Sequence, residues 1–370
     1  MTQKEAIELT INLAKKANEN AIRPNPFVGA VVLDEAGNLV GQGYHQQIGG
    51  PHAEVFAIQE AIGQQIDLSK ATLIVSLEPC SHYGKTPPCV DLIIQHKIKK
   101  VVILSLDPNP KVSGLEQLKL HGIEVELALI PSAATLNARF FTNHLLGRPY
   151  YILKLASTID GKIADAYKKS KWISNPASRN FVHQTLRTNV DAILTTSKTV
   201  IQDQSTLNVR NEEGSTLETN VLIIDKNLEI LDSVNNNLPI FYPRIETKIY
   251  LITDQTCPKN LPAHIECIQG IFDKDGLVFA SIHKTLLEKG ISKILTEGGQ
   301  KLNASMIQQQ IADELYWFIA PTIINDANAL SMLGLTKFIG LEHATRLNLL
   351  STELLDQDVL LHYQFIHNRD

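Results

Sequence analysis

Cysteine is scarce in this chain, four in 370 residues, which is too few for a disulfide framework. Two of them, Cys80 and Cys89, share one Pro-rich loop, while Cys257 and Cys267 lie far downstream. Long apolar runs are missing as well: Val101–Leu106 and Tyr316–Ala320 are far too short to span a bilayer. The opening stretch MTQKEAIELTINLAKKANEN carries charge throughout and lacks the apolar centre of a signal peptide. These absences predict a soluble, cytoplasmic protein with reduced thiols and no membrane partner. Basic residues are not in excess either. Lys and Arg total 34 against 39 Asp and Glu, a net charge of −5. A duplex-binding protein normally shows a basic excess or stripe, so the balance argues against nucleic acid.

What is present fits an ordinary globular chain: 44% hydrophobic and 20% charged residues, with 20 Gly and 16 Pro. The length predicts two domains of roughly 150–200 residues, each able to bury its own core. Ile7, Ile11, Ala14 and Ala17 recur at helical spacing, so the chain opens with an amphipathic helix. Phe27–Leu33 and Leu39–His45, parted by Asp34-Glu35-Ala36-Gly37-Asn38, give a hairpin signal. Helix starts near Pro51-His52 and Pro88, and a helix ending at Gly122, then alternate with strands at Thr72–Ser76, Val101–Leu106 and Ile123–Leu127. That alternation predicts a three-layer α/β domain. One further helix is expected over 131–146, and Gly147-Arg148-Pro149 breaks the pattern. The predicted domains are therefore residues 1–146 and 147–370.

The second half again reads as mixed α/β. Strands are expected at Tyr151–Ala156, Ala192–Thr195, Val221–Ile224, Ile249–Ile252, Ile294–Thr296 and Leu315–Ile319. Helices are expected at Asn180–Leu186 and Leu302–Gln309, and the polar stretch Asn211–Asn220 reads as a surface loop.

The strongest chemical signal is Pro51-His52-Ala53-Glu54 followed by Glu78-Pro79-Cys80 and, across Ser81-His82-Tyr83-Gly84-Lys85-Thr86-Pro87-Pro88, Cys89. One imidazole and two thiolates suit zinc and leave a fourth position for water. Zinc lowers the pKa of that water from about 15.7 toward about 7. Glu54, at a helix start two residues after His52, can point into such a site and shuttle a proton. The bland readings are a structural half-site, with His82 as an awkward fourth ligand, or a redox pair. Eight intervening residues do not suit a Cys-x-x-Cys redox motif.

His52-Ala53-Glu54 with Pro79-Cys80 and Cys89 resembles the zinc-dependent cytidine deaminase superfamily, whose signature is H-x-E followed by P-C-x-x-C. The cysteines here are further apart. The longer loop, with Pro24-Asn25-Pro26-Phe27-Val28-Gly29-Ala30 before it, is similar to the deaminase domain of the bacterial bifunctional riboflavin biosynthesis family. That resemblance implies a substrate pocket lined by Asn25, His45, Lys85, Asp107 and Asn109. Lys85 projects from the ligand loop and could meet a phosphate, and Asp107-Pro108-Asn109-Pro110 follows a buried strand; otherwise they are a solvated charge and a turn.

No Gly-x-Gly-x-x-Gly follows a strand, and Gly41-Gln42-Gly43 fails at the third glycine, so an ordinary Rossmann domain is not expected. Leu295-Thr296-Glu297-Gly298-Gly299 closes a strand and opens a helix, which suits either a bound phosphate or a tight turn. Lys154–Lys162, Ser170–Ile173, Asp203–Arg210 and Glu297–Gly299 resemble the reductase domain of the same family. The resemblance implies a fold like dihydrofolate reductase and the cofactor NADPH. It implies substrate contacts from Ser170, Arg187, Leu207, Arg210 and Glu297. It implies cofactor contacts from Ala156, Trp172, Thr199, Asp203, Gly298, Gly299, Gln300, Lys301, Leu302, Asn303, Ala304 and Ser305. Arg187 and Arg210 make physical sense as bidentate phosphate forks, or else as surface salt bridges. Two departures stand out: Thr195-Thr196-Ser197-Lys198-Thr199 replaces a glycine-rich turn, and Gln204-Ser205 replaces the usual Asn/Asp-Pro.

The whole fold expected is thus a cytidine-deaminase-like three-layer domain followed by a dihydrofolate-reductase-like α/β domain. Its expected work is zinc-dependent (Zn2+) deamination of a small phosphoribosyl-pyrimidine, then NADPH-dependent reduction of the ribosyl group to ribityl. A homo-oligomer is compatible with this reading. The alternatives are a nucleic-acid base deaminase with an accessory domain, against which the acidic balance speaks, and a non-enzymatic zinc-stabilised binding module, against which Glu54 speaks.

Overall fold

Thr2 starts the first helix, α1 (Gln3–Ala14). Its hydroxyl accepts the Glu5 N–H while the Glu5 carboxylate accepts the Thr2 N–H, a capping box. The computed structural model describes residues 1–167, 173–210, 216–232, 238–241, 246–334 and 340–367. It divides the chain into two compact units, Met1–Gly147 and Arg148–Asp370.

In the first unit a short helix, α2 (Glu19–Ile22), precedes the hairpin β1 (Gly29–Leu33) and β2 (Leu39–Tyr44). Then follow α3 (Ala53–Gly63), β3 (Thr72–Val75), α4 (Cys89–Gln95), β4 (Lys100–Ile103), α5 (Gly114–Leu120) and β5 (Glu124–Leu127). The sheet order is β2-β1-β3-β4-β5, with β1 antiparallel to both its neighbours and β3, β4 and β5 parallel. β1 is buried along its whole length, so it reads as a continuous apolar run rather than an alternation. One layer packs Ala30, Val32, Leu73 and Val75 with Ile58, Val90, Ile93 and Leu118; the other packs Val31, Ile74 and Val102 with Ile11 and Leu13. Full burial of each large aliphatic side chain contributes roughly 1.5–3 kcal/mol. β2 lies close on α3: a Cβ on Gly43 would stand 2.6 Å from the Ala53 carbonyl oxygen. Glycine there lets the strand reach the turn that carries His52 and Glu54.

The single helix expected over 131–146 is two, α6 (Pro131–Leu136) and α7 (Ala138–Leu145). Asn137 parts them. Its buried side chain accepts the Phe27 N–H at 2.7 Å and donates to the Phe27 carbonyl at 2.9 Å, a pairing with a distant segment that local periodicity does not register.

The second unit begins with β6 (Tyr150–Thr158), β7 (Lys162–Ala164) and α8 (Pro176–Phe181), which continues into a π-helical turn over Val182–Leu186. β8 (Ala192–Thr196), α9 (Ser197–Asp203), β9 (Val209–Arg210), β10 (Thr216–Leu217), β11 (Asn220–Ile224) and α10 (Glu229–Asp232) follow. Next come β12 (Ile249–Thr253), β13 (Ile265–Gln269), the hairpin β14 (Ile271–Asp273) and β15 (Gly276–Val278), and α11 (His283–Glu288). The chain ends with β16 (Lys293–Thr296), α12 (Gln300–Gln308), β17 (Ala312–Ala320), β18 (Leu330–Ser331), β19 (Arg346–Leu355) and β20 (Asp358–Ile366). Nine strands form one sheet in the order β13-β12-β11-β8-β16-β6-β17-β20-β19, parallel through β17 and antiparallel beyond. β8, β16 and β6 lie side by side in it, which brings Thr195, Glu297 and Ala156 to one end of the sheet, where the loops after parallel strands collect ligands.

Two expectations fail in this unit. The thiols of Cys257 and Cys267 are not reduced but joined in a disulfide. β12 and β13 are parallel neighbours, which brings the two Cα atoms to 5.9 Å, within bridging range. The stretch 211–220, expected as a surface loop, includes β10 and the first residue of β11, while 211–215 lie outside the described residues. Among the described residues no helix is long and apolar enough to cross a membrane.

Candidate functional site

His52 caps α3 and Cys89 opens α4, so two helix starts converge on the loop that carries Cys80. The His52 Nδ1 lies 3.5 Å from the Cys80 Sγ and 3.3 Å from the Cys89 Sγ, and the three ligand atoms all fall within 4.8 Å of one another. The Cys89 N–H donates to the Cys80 Sγ at 3.2 Å, which favours a thiolate there. The Cys80 thiol is drawn down to about 4, chiefly by its hydrogen bond with Cys89, against burial and with help from His52. The Thr86 hydroxyl lies 3.3 Å from the His52 Nε2, the nitrogen facing away from the sulfurs, and so can orient the ring. This donor set fits a zinc ion. Glu54 adds an independent sign: it is buried, and its Oε2 has no hydrogen-bond partner in the protein. Burial pushes its carboxyl up, with the nearby His52 opposing.

These groups face a cavity of about 390 Å³. Its lining includes His52, Glu54 and Cys80 together with Asn25, His45, Lys85, Asp107 and Asn109, all the pocket residues that the sequence resemblance implied. The His45 Nδ1 lies 3.2 Å from the Pro51 carbonyl, an acceptor, so Nδ1 carries the proton. Its Nε2 therefore accepts from the Asn25 side chain at 3.1 Å. Burial holds the ring's pKa down, which keeps it neutral. Asp107 accepts the Asn109 N–H at 2.8 Å in an Asx turn, and burial raises its carboxyl. Lys85 stands exposed at the rim.

Two supporting residues were given no role in the sequence reading. Glu78 accepts the Asp107 and Leu115 N–H groups, which ties the Asp107 turn to α5. Arg139, buried in α7, donates to Glu19 and to the carbonyls of Pro24 and Asn25 at 2.9 and 2.8 Å, which fixes the segment carrying Asn25. An arginine inside an otherwise apolar helix face was the available signal. Gly114 is also dictated here, since a Cβ would sit 2.0 Å from the Pro79 carbonyl beside Cys80.

The second unit has its own cavity, of about 440 Å³, at the ends of β6, β8 and β16. Ala156, Arg187, Thr199, Asp203, Leu207, Glu297, Gly298, Gly299 and Asn303 line it. Ser170 and Trp172 lie outside the described residues. Leu302 and Ala304 do not reach it. Both are buried, Leu302 within the apolar core of the sheet. Gln300, Lys301, Ser305 and Arg210 are likewise absent from the described lining. The exposed Arg210 leans on Asn208 and Thr206 at 3.4 Å each.

Arg187 differs most from expectation. Its Nε and Nη2 grip the Glu297 carboxylate at 2.6 and 3.0 Å, and its Nη1 donates to the Asn208 carbonyl at 2.7 Å, so the fork is already engaged. Burial would raise the Glu297 carboxyl, but Arg187, Lys154 and His183 outweigh it and hold it down to about 2. Lys154 and His183 also line this cavity and were missed. A lone lysine in the apolar run Tyr150–Ala156 was the signal for the first. Burial lowers its pKa, with Glu297 opposing.

The residues fit a dinucleotide. The Asn303 Oδ1 and Ser205 Oγ are buried without partners, and both residues line the cavity. A Cβ on Gly299, at the start of α12, would meet open space, and no side chain caps that helix, so its N–H groups are available to an anion. At Thr195–Thr199, which replaces the family's glycine-rich turn, Thr196 caps α9 by accepting the Thr199 N–H at 3.3 Å. Gln204 and Leu207 in the following turn take left-handed φ values of 51° and 46°, costly for side-chain-bearing residues and common where a wall serves a site.

Residues 1–105 match the family described as cytidine and deoxycytidylate deaminase zinc-binding region, and residues 149–361 match the RibD C-terminal domain. The chain is 36% identical over 365 residues to the riboflavin biosynthesis protein RibD of Aquifex aeolicus (strain VF5), covering 98% of each chain. It is 36% identical over 350 residues to that of Escherichia coli (strain K12), covering 92% of this chain and 93% of the other. Among solved structures it is similar to a diaminohydroxyphosphoribosylaminopyrimidine deaminase/5-amino-6-(5-phosphoribosylamino)uracil reductase from Thermotoga maritima. There the TM-score is 0.80 and the identity 33%, with 98% of each chain covered. A second, Acinetobacter baumannii RibD form 1, gives a TM-score of 0.78 at 31% identity, covering 98% of this chain and 99% of that one. The first unit is accordingly cytidine-deaminase-like and the second dihydrofolate-reductase-like.

Proposed function

The chain belongs to the RibD family of riboflavin biosynthesis proteins, and from that premise we propose which residues do its work. It is a bifunctional enzyme, a zinc-dependent deaminase and an NADPH-dependent reductase. Our reading assigns deamination to the domain of residues 1–146 and reduction to that of residues 147–370. The substrate is taken to be 2,5-diamino-6-(5-phosphoribosylamino)pyrimidin-4-one, a small molecule handled in the cytoplasm, with no nucleic acid involved.

One observation carries the deaminase assignment: the partnerless, buried Glu54 Oε2 in a cavity lined also by His52 and Cys80, with Cys89 completing their donor set behind it. His52 Nδ1 and the two sulfurs would hold the zinc, which supplies hydroxide at neutral pH. Glu54 Oε2 would take one proton from the attacking water and give it to the ring nitrogen, then take a second from the newly formed hydroxyl and give it to the departing amine. A buried, raised carboxyl is suited to holding that proton between steps. Asn25, with its amide oriented by neutral His45, positions the pyrimidine edge, and Lys85 meets the phosphate at the rim.

In the second unit NADPH, when bound, would supply the hydride that reduces the ribosyl group at C1′. Thr199, Asp203, Gly298, Gly299 and Asn303 hold the cofactor. Glu297 orients the sugar hydroxyls while Arg187 keeps the carboxylate ionised and fixed. Arg210, exposed at the mouth, draws in the 5′-phosphate.

A coupled assay on the diaminopyrimidine phosphate tests the whole reading. Ammonia release and NADPH oxidation are followed separately, and both are expected. Ammonia release without any NADPH oxidation would sink the reductase half.

A further inference from the structure

The π-helical turn Val182–Leu186 carries His183 into the reductase cavity, and π-turns inside helices concentrate at functional sites. The His183 Nδ1 accepts the Arg210 backbone N–H at 3.1 Å. An acceptor nitrogen carries no proton, so in the neutral ring the proton sits on Nε2. Gln184 locks the same junction from its neighbouring position, donating its side-chain amide to the Arg210 carbonyl at 2.6 Å. Two adjacent residues of one turn thus hold both backbone groups of Arg210, and the imidazole is left with a single directional N–H. That N–H has no protein partner among the described residues.

We propose that His183 is a further substrate-binding residue of the reductase site, donating its Nε2–H to the 5′-phosphate of the phosphoribosyl substrate. The proposal rests on the reductase reading above. Three features support it. The groups that act on His183 are Arg187, Glu297, Arg210 and Lys154. Arg179 and Asp203 line the same cavity, so four cations face two carboxylates, an excess of two positive charges that suits a phosphate dianion. Arg187 has its fork engaged on Glu297, so a neutral donor supplies a direction that the engaged cation cannot. Burial, with the neighbouring cations, holds the imidazole down to about 4, so the Nε2–H form persists across neutral pH and adds no further positive charge.

The test uses the full-length chain, with 5-amino-6-(5-phosphoribosylamino)uracil and its dephosphorylated ribosylamino counterpart as reductase substrates. His183→Ala should raise KM for the phosphorylated substrate about tenfold, the scale of one hydrogen bond to a charged group. The KM for NADPH, and the activity on the dephosphorylated substrate, should stay near wild type. His183→Gln, which keeps a side-chain N–H, should recover most of the loss. If His183→Ala misfolds, His183→Phe keeps the ring volume without a donor and takes its place. An equal loss on both substrates, or no loss on either, overturns the proposal. A second arm measures the stabilisation of the wild-type chain against heating by inorganic phosphate. His183→Ala should lose part of it, and equal stabilisation in both proteins overturns the proposal even where no NADPH is oxidised. Absence of NADPH oxidation in the wild type would instead count against the reductase reading itself.

Discussion

Arg187 and Glu297 meet fork to fork, Nε to Oε1 at 2.6 Å and Nη2 to Oε2 at 3.0 Å, in the wall of the second cavity. Both side chains are almost buried, at 12% and 14% exposure, so removing one charge strands the other. The Glu297 carboxyl is held down to about 2, below the value of the unfolded chain. A depressed carboxyl contributes stability above its unfolded pKa and loses it as pH falls through the folded one. Its drop from the ordinary 4.5 corresponds to about 3 kcal/mol. Glu297→Gln should therefore unfold several degrees below wild type at pH 7. That gap should narrow as the pH falls from about 5 toward 2, as calorimetry over that range would record. A gap that stays constant with pH would show that the pair is not the source.

Zinc is expected at one ion per chain, held by His52, Cys80 and Cys89. Elemental analysis of the wild type should find that ratio, and Cys80→Ala/Cys89→Ala should bring it near zero. NADPH oxidation with the deaminated substrate should survive in that variant. Full zinc retention would reject the ligand set.

The disulfide between Cys257 and Cys267 closes a short loop at the edge strand β13. A loop of this order contributes on the order of 3 kcal/mol when closed. A dithiol reductant should lower the thermal midpoint of the wild type, and Cys257→Ser should match the reduced wild type and ignore the reductant. A midpoint unmoved by reductant in the wild type would contradict the pairing.

Legibility followed locality. Short apolar strands such as β1, β3 and β4, and the His52, Glu54, Cys80 and Cys89 set, were readable because each is spelled in a contiguous stretch with fixed chemistry. Asn137 broke an expected helix because its partners are the backbone groups of Phe27, far off in sequence. The disulfide was hidden for the same reason, since only the parallel pairing of β12 and β13 brings its cysteines together. The hairpin of β19 and β20 escaped notice because a bulge between Leu349 and Ser351 shifts the register and spoils the alternation of leucines. At the second site Arg187 and Glu297 were each identified. Their mutual pairing was not, because it depends on how α8 and its π-turn are set against the end of β16. Leu302 and Ala304, taken with the cofactor segment by their place in a motif, are buried and outside the cavity lining.

The central claim is that one chain holds two separate active sites, with Glu54 moving the proton in the first. The measurement that tests it most directly follows ammonia and NADPH together in full-length Glu54→Gln. With the diaminopyrimidine phosphate, ammonia release should fall by about 10²–10⁴-fold, the usual worth of a positioned acid–base group, and NADPH oxidation should fall with it. With the deaminated substrate supplied directly, NADPH oxidation should match wild type, and bound zinc should be unchanged. Near-normal ammonia release, or loss of NADPH oxidation on the deaminated substrate, would contradict the account.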